Sequence, residues 1–442
     1  MSRPALHVAA GLPAIALRFL SPGVAIGFAA VLVAHNVFLL PRYAPAVMRQ
    51  GARADGRADA GVALYPLVVL ALLLLFRERL HLAAAAWAIL AFGDGAAAVA
   101  GRALGGPRLP WNAEKRWAGS AAFVLVGTPA AAAIGCFVSR AASPPAWPGF
   151  LSALLPVGLA ALLAAAAETL PWRLDDNARI GLASAAALAA AASVDPGRVS
   201  AALAAAAARL PLAALVSGAA GLAALVLGAV DVSGFAAGTV LGILLWSFAG
   251  VGAFASLAVF VGVATAATRL GRGRKERLRV AQASGGRRGA PHALANVGLA
   301  AALAPLSLLA SSGGVLRLAL AAALATAAFD TTATEIGQAT SQWAWQPRTW
   351  RRVPAGTPGA VSAAGTVAGV VAAALVALAA MATGLVSPRA PGILVVSAGV
   401  GALTESFLAS SSTARELLDG HGWNALNTSV GASVAALLAH VW

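Results

Sequence analysis

Long apolar runs alternate along this chain with short polar or basic segments. Runs near the length a helix needs to cross a bilayer predict spans at about 5–20, 23–40, 61–76, 81–95, 118–138, 151–170 and 179–195. One more is expected at about 210–230, then seven at about 234–250, 251–268, 291–310, 316–335, 358–384, 392–412 and 425–441. The polar segments repeat too. One constant offset lays Asp94 on Asp330, Lys115 on Arg351 and Arg116 on Arg352. An offset one residue longer lays Gly119 on Gly356, Ser120 on Thr357 and Glu168 on Glu405. The expected fold is all-α, a polytopic transmembrane bundle of about 15 helices arranged as two parallel seven-helix repeats joined by one linking helix. Residues 1–205 form the first repeat, 206–231 the link and 232–442 the second. Seven is odd, so a direct repeat would be inverted in the membrane, and the extra helix restores its orientation.

Composition agrees with the pattern. At 60% hydrophobic and 11% charged, the chain has too little polar surface to coat a soluble globule of 442 residues. Much of the apolar content is Ala and Gly, which let helices approach closely. The lone cysteine, Cys136, excludes an internal disulfide and a Cys-rich metal site. Six histidines without an H-x-x-x-H pair argue against histidine-held metal. The net charge of +15 marks topology rather than nucleic acid. Lys and Arg concentrate in alternate loops, near 41–60, 96–117, 171–179, 269–290, 336–357 and 413–424, which the positive-inside rule puts in the cytoplasm. The expected location is a bacterial plasma membrane with both repeated sites facing the cytoplasm.

Within the repeat, Asp94 lies between Gly93 and Gly95 with Arg102 two turns on, and an acid at that depth needs a partner or a cation. A plain Asp94 to Arg102 pair is the competing reading. Lys115, Arg116, Gly119 and Ser120 precede a helix and offer the charge and open amides that a phosphate chain needs. Arg351, Arg352, Gly356, Thr357, Gly359 and Ser362 supply the same parts in the second copy; a topogenic loop with ordinary caps would look alike. Glu168, Asp175, Asp176 and Asn177 form an oxygen-rich segment suited to Mg²⁺, answered by Glu405 and Asn427. Gly285 and Gly286 before Arg287 and Arg288 resemble an anion clamp leading into the helix with Asn296. Lys115 and Lys275 are the only lysines and no G-x-x-x-x-G-K-[ST] occurs, which excludes P-loop and protein-kinase machinery.

These residues carry two resemblances. Gly93, Asp94, Ala97, Gly101, Arg102, Gly105, Lys115, Gly119, Ser120, Glu168 and Asp175 to Asn177, with Arg3, His7 and Gly11 ahead of them, resemble the phytol kinase and dolichol kinase family. Arg272, Lys275, Glu276, Gly286 to Arg288, Ala295, Asn296, Asp330 to Glu335, Gly337, Pro354, Gly356, Thr357, Gly359 to Ser362 and Asn427 resemble the DUF92 membrane family, which includes the plant phytyl-phosphate kinase. Arg116, Trp117, Phe329 and Thr332 depart from the families' usual residues. The resemblances imply two successive phosphorylations, of an isoprenoid alcohol and then its monophosphate, with CTP as donor and Mg²⁺ as cofactor. They imply catalytic roles for Asp94, Asp175, Asp330 and Glu335, and metal-binding roles for Asp94, Glu168, Asp176, Asn177, Asp330, Glu405 and Asn427. A lipid-phosphate flippase and a CTP-dependent cytidylyltransferase are the alternatives. The nearly apolar outer halves of the helices favour an enzyme working at one face.

Overall fold

The computed structural model describes residues 3–43, 61–109, 112–142, 144–170, 175–277 and 286–439. Gly285, the rest of 278–285, and most of the 41–60 loop lie outside them. The chain divides into two compact units, Met1–Ala192 and Ser193–Trp442. The first contains α1 (Arg3–Gly11), α2 (Pro22–Tyr43), α3 (Gly61–Leu75), α4 (Leu80–Ala103), α5 (Trp117–Ser139), α6 (Phe150–Thr169) and α7 (Asp176–Ser193). The second opens on α8 (Val199–Val226), the helix expected as the link. It continues with α9 (Val232–Ala249), α10 (Val251–Arg269), α11 (Arg272–Arg277), α12 (Ala290–Leu309) and α13 (Gly313–Thr340). It ends with α14 (Ala363–Ala382), α15 (Ala390–Ala409), α16 (Ser412–Leu417) and α17 (Gly420–Leu438).

Every expected span is helical, although the first is α-helix only over Arg3–Gly11 and continues as a 3-10 helix over Leu12–Arg18, and the protein is an all-α polytopic membrane protein. Among the described residues, 11 helices are long and apolar enough to cross a bilayer. The other four are shorter or more polar. Asn177 and Arg179 enter the first turn of α7, and His421, Asn424 and Asn427 dilute α17.

Each unit is built around one helix. In α13 72% of the most apolar stretch is buried and in α4 67%, against 44% at most elsewhere. Both are rich in alanine, so neighbours pack against them on every side, as lipid-facing helices cannot. α5 and α1 flank α4, while α10, α12, α14, α15 and α17 surround α13. The expected end of α4 near residue 95 is corrected: the helix runs on to Ala103, so Asp94 sits within it rather than at its end. Gly93 and Gly95 do not break it, because they are buried where α5 packs close. The π-turn Ile89–Gly93 lies immediately before Asp94 and supplies one extra residue.

The basic segments expected as loops are antiparallel hairpins. β1 (Arg108–Leu109) pairs with β2 (Asn112–Arg116) between α4 and α5. β3 (Trp343–Gln346) pairs with β4 (Arg351–Pro354) between α13 and α14. Trp345 also exchanges two backbone hydrogen bonds with Val361, at 2.8 and 2.7 Å. Both units therefore share an order: central helix, basic hairpin, then a helix laid back along the central one.

Candidate functional site: carboxylate clusters around the central helices

Close helix contacts set the positions of the acids. A Cβ on Gly119 would lie 3.1 Å from the carbonyl oxygen of Ala97 and 3.7 Å from the Cα of Gly101. In the second unit a Cβ on Gly337 would lie 3.7 Å from the Cα of Gly365, which itself abuts the backbone of Ala333. Gly119 is thus answered by Gly365, each the third residue of its helix, rather than by Gly356 as the ungapped offset suggested. Its lack of a side chain lets α5 touch α4.

In the first unit, Lys115 on β2 reaches across to the end of α6 and the start of α7. Its Nζ donates to Glu168 and, at 2.8 Å, to Asp176 Oδ2. Arg179 donates to the other oxygen of Asp176 and to the carbonyl oxygens of Ala167 and Leu170. Burial alone would lower the Lys115 pKa, but Glu168 and Asp176 outweigh it and hold it above the usual range. Burial pushes Asp176 up, and Lys115 and Arg179 bring it below the ordinary carboxylate range. Lys115, expected among the phosphate-binding residues, is engaged by these two acids and neutralises the set. Asn112 ties the hairpin to α6 by donating to the Thr169 carbonyl oxygen at 2.9 Å.

Asp94 faces His7 of α1, with Oδ2 3.1 Å from Nδ1, and lies within electrostatic reach of Glu168. His7 meets Tyr65 edge-on at 5.4 Å, and the Tyr65 hydroxyl accepts from Trp87 Nε1 at 3.0 Å. The Asp94 to Arg102 pair is not formed; the exposed Arg102 donates to Ala98 O in its own helix. Arg116 donates to Gly106 O at 2.8 Å and braces its hairpin. Asp175 Oδ1 accepts from Asn177 N at 3.0 Å, opening α7. Asn177 is 3% exposed and its Oδ1 has no hydrogen-bond partner. Ser120 is half-buried in the first turn of α5.

The second unit has two clusters on different sides of α13. In one, Asn427 of α17 meets the carboxylates of Glu405 and Asp330. Its Nδ2 lies 2.5 Å from Glu405 Oε2 on α15, and Asp330 lies within electrostatic reach of Glu405. Asn427 is fully buried, with Oδ1 unpartnered. In the other, Glu335 Oε2 accepts from Lys275 Nζ at 2.6 Å and Oε1 accepts from Thr268 at 3.2 Å. Lys275, 1% exposed, also donates to the carbonyl oxygens of Ala267 and Thr268, closing the C-terminus of α10. Arg288 donates to the Thr268 hydroxyl at 3.1 Å; burial lowers its pKa, opposed by Glu335. Both oxygens of Glu335 are occupied, which is the arrangement of a structural pair rather than of the reacting carboxylate expected.

Of the remaining candidates, Arg287 is exposed and Asn296 is buried, donating to His292 O with its Oδ1 unpartnered. Arg351 and Arg352 are exposed on β4, and Arg352 lies over the Trp343 ring at 5.0 Å. Thr357 donates to Pro354 O within its own turn. Gly356 and Gly359 have positive φ, at 92° and 73°. A Cβ on Gly359 would lie 2.6 Å from Ser410 N, so this glycine seats the turn on the end of α15. Ser362 caps α14, accepting from Gly365 N at 3.1 Å. These residues shape the entry to α14. Arg179 and Thr268 escaped the sequence reading. Arg179, one turn after Asp176, was the detectable one.

Among the described residues no three His, Cys, Asp or Glu side chains converge as a metal site. Asp330, Glu405 and Asn427 Oδ1 nevertheless make an all-oxygen set of the kind Mg²⁺ prefers, and Asn427 Oδ1 is free to face a cation. The first-unit set fits less well, because Lys115 already sits on Glu168 and Asp176.

Fold and site together define a polytopic membrane protein with carboxylates and amides gathered around two central helices. Residues 215–426 match the family described as integral membrane protein DUF92, and the chain belongs to that family. It is 31% identical over 219 residues to protein VTE6, chloroplastic, of Arabidopsis thaliana, covering 47% of this chain and 65% of that protein. It is 31% identical over 209 residues to the uncharacterized membrane protein sll0875 of Synechocystis sp., covering 46% of this chain and 80% of that one. The chain therefore spans just under two thirds of the length of VTE6. No solved structure matches it.

Proposed function

We propose that the protein is a membrane isoprenoid kinase whose units act in turn, the first on an alcohol of the phytol or geranylgeraniol class and the second on its monophosphate, with CTP as donor. The observation that carries this reading is the recurrence of Asp, Glu and Asn on corresponding helices: Asp94, Glu168 and Asn177, then Asp330, Glu405 and Asn427. Membership of DUF92 and the family resemblance of the second unit support its half of the reaction; the resemblance of the first unit supports the other.

Phosphoryl transfer needs positioning and charge neutralisation more than covalent chemistry. Mg²⁺ would be held by Asp330, Glu405 and Asn427 in the second unit, and by Asp94, Glu168, Asp176 and Asn177 in the first; when bound it neutralises nucleotide phosphate charge. Lys115 holds the first acidic set together and is the cation best placed to meet an incoming phosphate. An alcohol must lose a proton, whereas a phosphate monoester with a second pKa of about 6 is mostly dianionic at pH 7. Asp94, beside His7, is better placed than Asp175 to take that proton, since Asp175 is engaged at the start of α7.

The test is purified protein with Mg²⁺, CTP labelled at either the α- or γ-phosphate, and phytol or phytyl phosphate. Transfer of γ-label to both acceptors is expected, with Asp94→Asn abolishing the first and Asp330→Asn the second. Transfer of α-label would identify a cytidylyltransferase. No transfer to either acceptor would leave the binding and transport reading in its place.

A further inference from the structure

The β3–β4 hairpin carries an outer face that the proposed chemistry does not use. Trp343 and Trp345 are 49% and 54% exposed and lie on one side of β3, while Ala344 between them is 3% exposed and faces inward. Across the ladder Trp345 pairs with Arg352 and Trp343 with Pro354, so an arginine shares the tryptophan face. Trp350 at the turn is 80% exposed and has φ 55°, a left-handed conformation rare for an aromatic residue. No acidic residue lies between Ser341 and Ser362, whereas Arg348, Arg351 and Arg352 do, all exposed. The backbone bonds from Trp345 to Val361 fix the hairpin as a scaffold rather than a loose loop.

Chain continuity fixes its height. α13, long and apolar enough to span, ends at Thr340, and α14 begins at Ala363, so both feet of the hairpin rest on membrane-crossing helices. Tryptophan favours the headgroup level, where its ring is sheltered and its N–H is wet, and clustered arginine favours anionic lipid. We propose that the outer face of this hairpin binds the acidic phospholipid headgroup surface of the bilayer. Arg352 stacked on Trp343 presents charge and ring to the same surface. A nucleobase would need a facing wall to stack between, and these rings share a single outer face.

The full-length protein is placed in nanodiscs of phosphatidylcholine with or without phosphatidylglycerol, the lipids bearing a headgroup spin label that quenches tryptophan fluorescence. The Trp343→Phe/Trp345→Phe/Trp350→Phe variant removes three of the chain's 11 tryptophans. It is expected to lose a disproportionate share of the quenching seen in the parent, and more in phosphatidylglycerol discs than in neutral ones. In parent discs, salt at about 1 M, where the Debye length is roughly 3 Å, should erase the difference between the two lipids. Quenching per tryptophan that stays the same or rises in the variant would show these three rings to lie no nearer the headgroups than the others and overturn the proposal. Quenching of these three tryptophans by CTP in lipid-free detergent would overturn it in favour of a nucleotide platform.

Discussion

Lys275→Met is the sharpest probe of the second unit's interior. The ammonium makes three hydrogen bonds, at 2.6, 2.7 and 3.2 Å, with almost no solvent in reach. Methionine keeps much of the length but leaves Glu335, 3% exposed, without its cation. Removing one partner of a buried pair costs about 3–5 kcal/mol, and Glu335→Gln should cost a similar amount by stranding the lysine. If the two losses were independent, the double variant would cost roughly 6–10 kcal/mol. It should instead cost only about 2–3 kcal/mol, mainly the donors lost to the Ala267 and Thr268 carbonyl oxygens at about 1 kcal/mol each. SDS titration of purified protein measures all three, and activity on phytyl phosphate should survive in the double variant. Single variants costing under about 1 kcal/mol, or a double variant equal to their sum, would refute the pairing. A folded double variant with no activity would return Glu335 to the reacting site.

Further outcomes can be checked separately. Asn427→Ala should raise the Mg²⁺ concentration needed for monophosphate phosphorylation by about 10-fold or more, as expected for a lost oxygen donor, and leave alcohol phosphorylation unchanged. The depressed pKa of Asp176 contributes stability that is present above its unfolded value of about 3.9 and lost as pH falls through the folded pKa. The raised pKa of Lys115 contributes stability that is present below about 10.4 and lost as pH rises through the folded value. Unfolding midpoints across pH should show both limbs, and Asp176→Asn should flatten the acid one. Gly119→Val should cost about 1–3 kcal/mol, because its Cβ would crowd the Ala97 carbonyl oxygen at 3.1 Å. Gly298→Ala, with nothing within 4 Å of its Cβ, should be neutral or stabilising by up to about 1 kcal/mol in the same titration.

Helix positions were legible because hydrocarbon length and composition dictate them, and the twin acids because a carboxylate is conspicuous among alanines. What could not be read was who meets whom. Lys115 and Arg351 share an offset, yet Lys115 grips Glu168 and Asp176 while Arg351 stays at the surface. The second hairpin is followed by a longer turn through Gly356 and Gly359 before its helix starts, which shifts the later register and matches Gly119 with Gly365. The hairpins were hidden because charged, Pro-containing stretches lack the alternating apolar pattern of a half-buried strand. Lys275 lay in a run of arginines that reads as a solvated anchor; its burial follows from the carbonyls of α10, which only tertiary structure brings beneath it.

Where α5 crosses α4, the Phe123 ring fills the notch left by Gly93, whose added Cβ would lie 2.7 Å from it. Where α14 crosses α13, Phe329 sits on the central helix and Gly369 provides the notch, at 2.8 Å. The bump and the dent have traded places between the halves. A chimera that set α13 against α5 would force two phenyl rings into one space, and one that set α4 against α14 would leave two dents and a void. The halves share a plan without sharing spare parts, so an engineer recombining them must move each crossing pair as a unit.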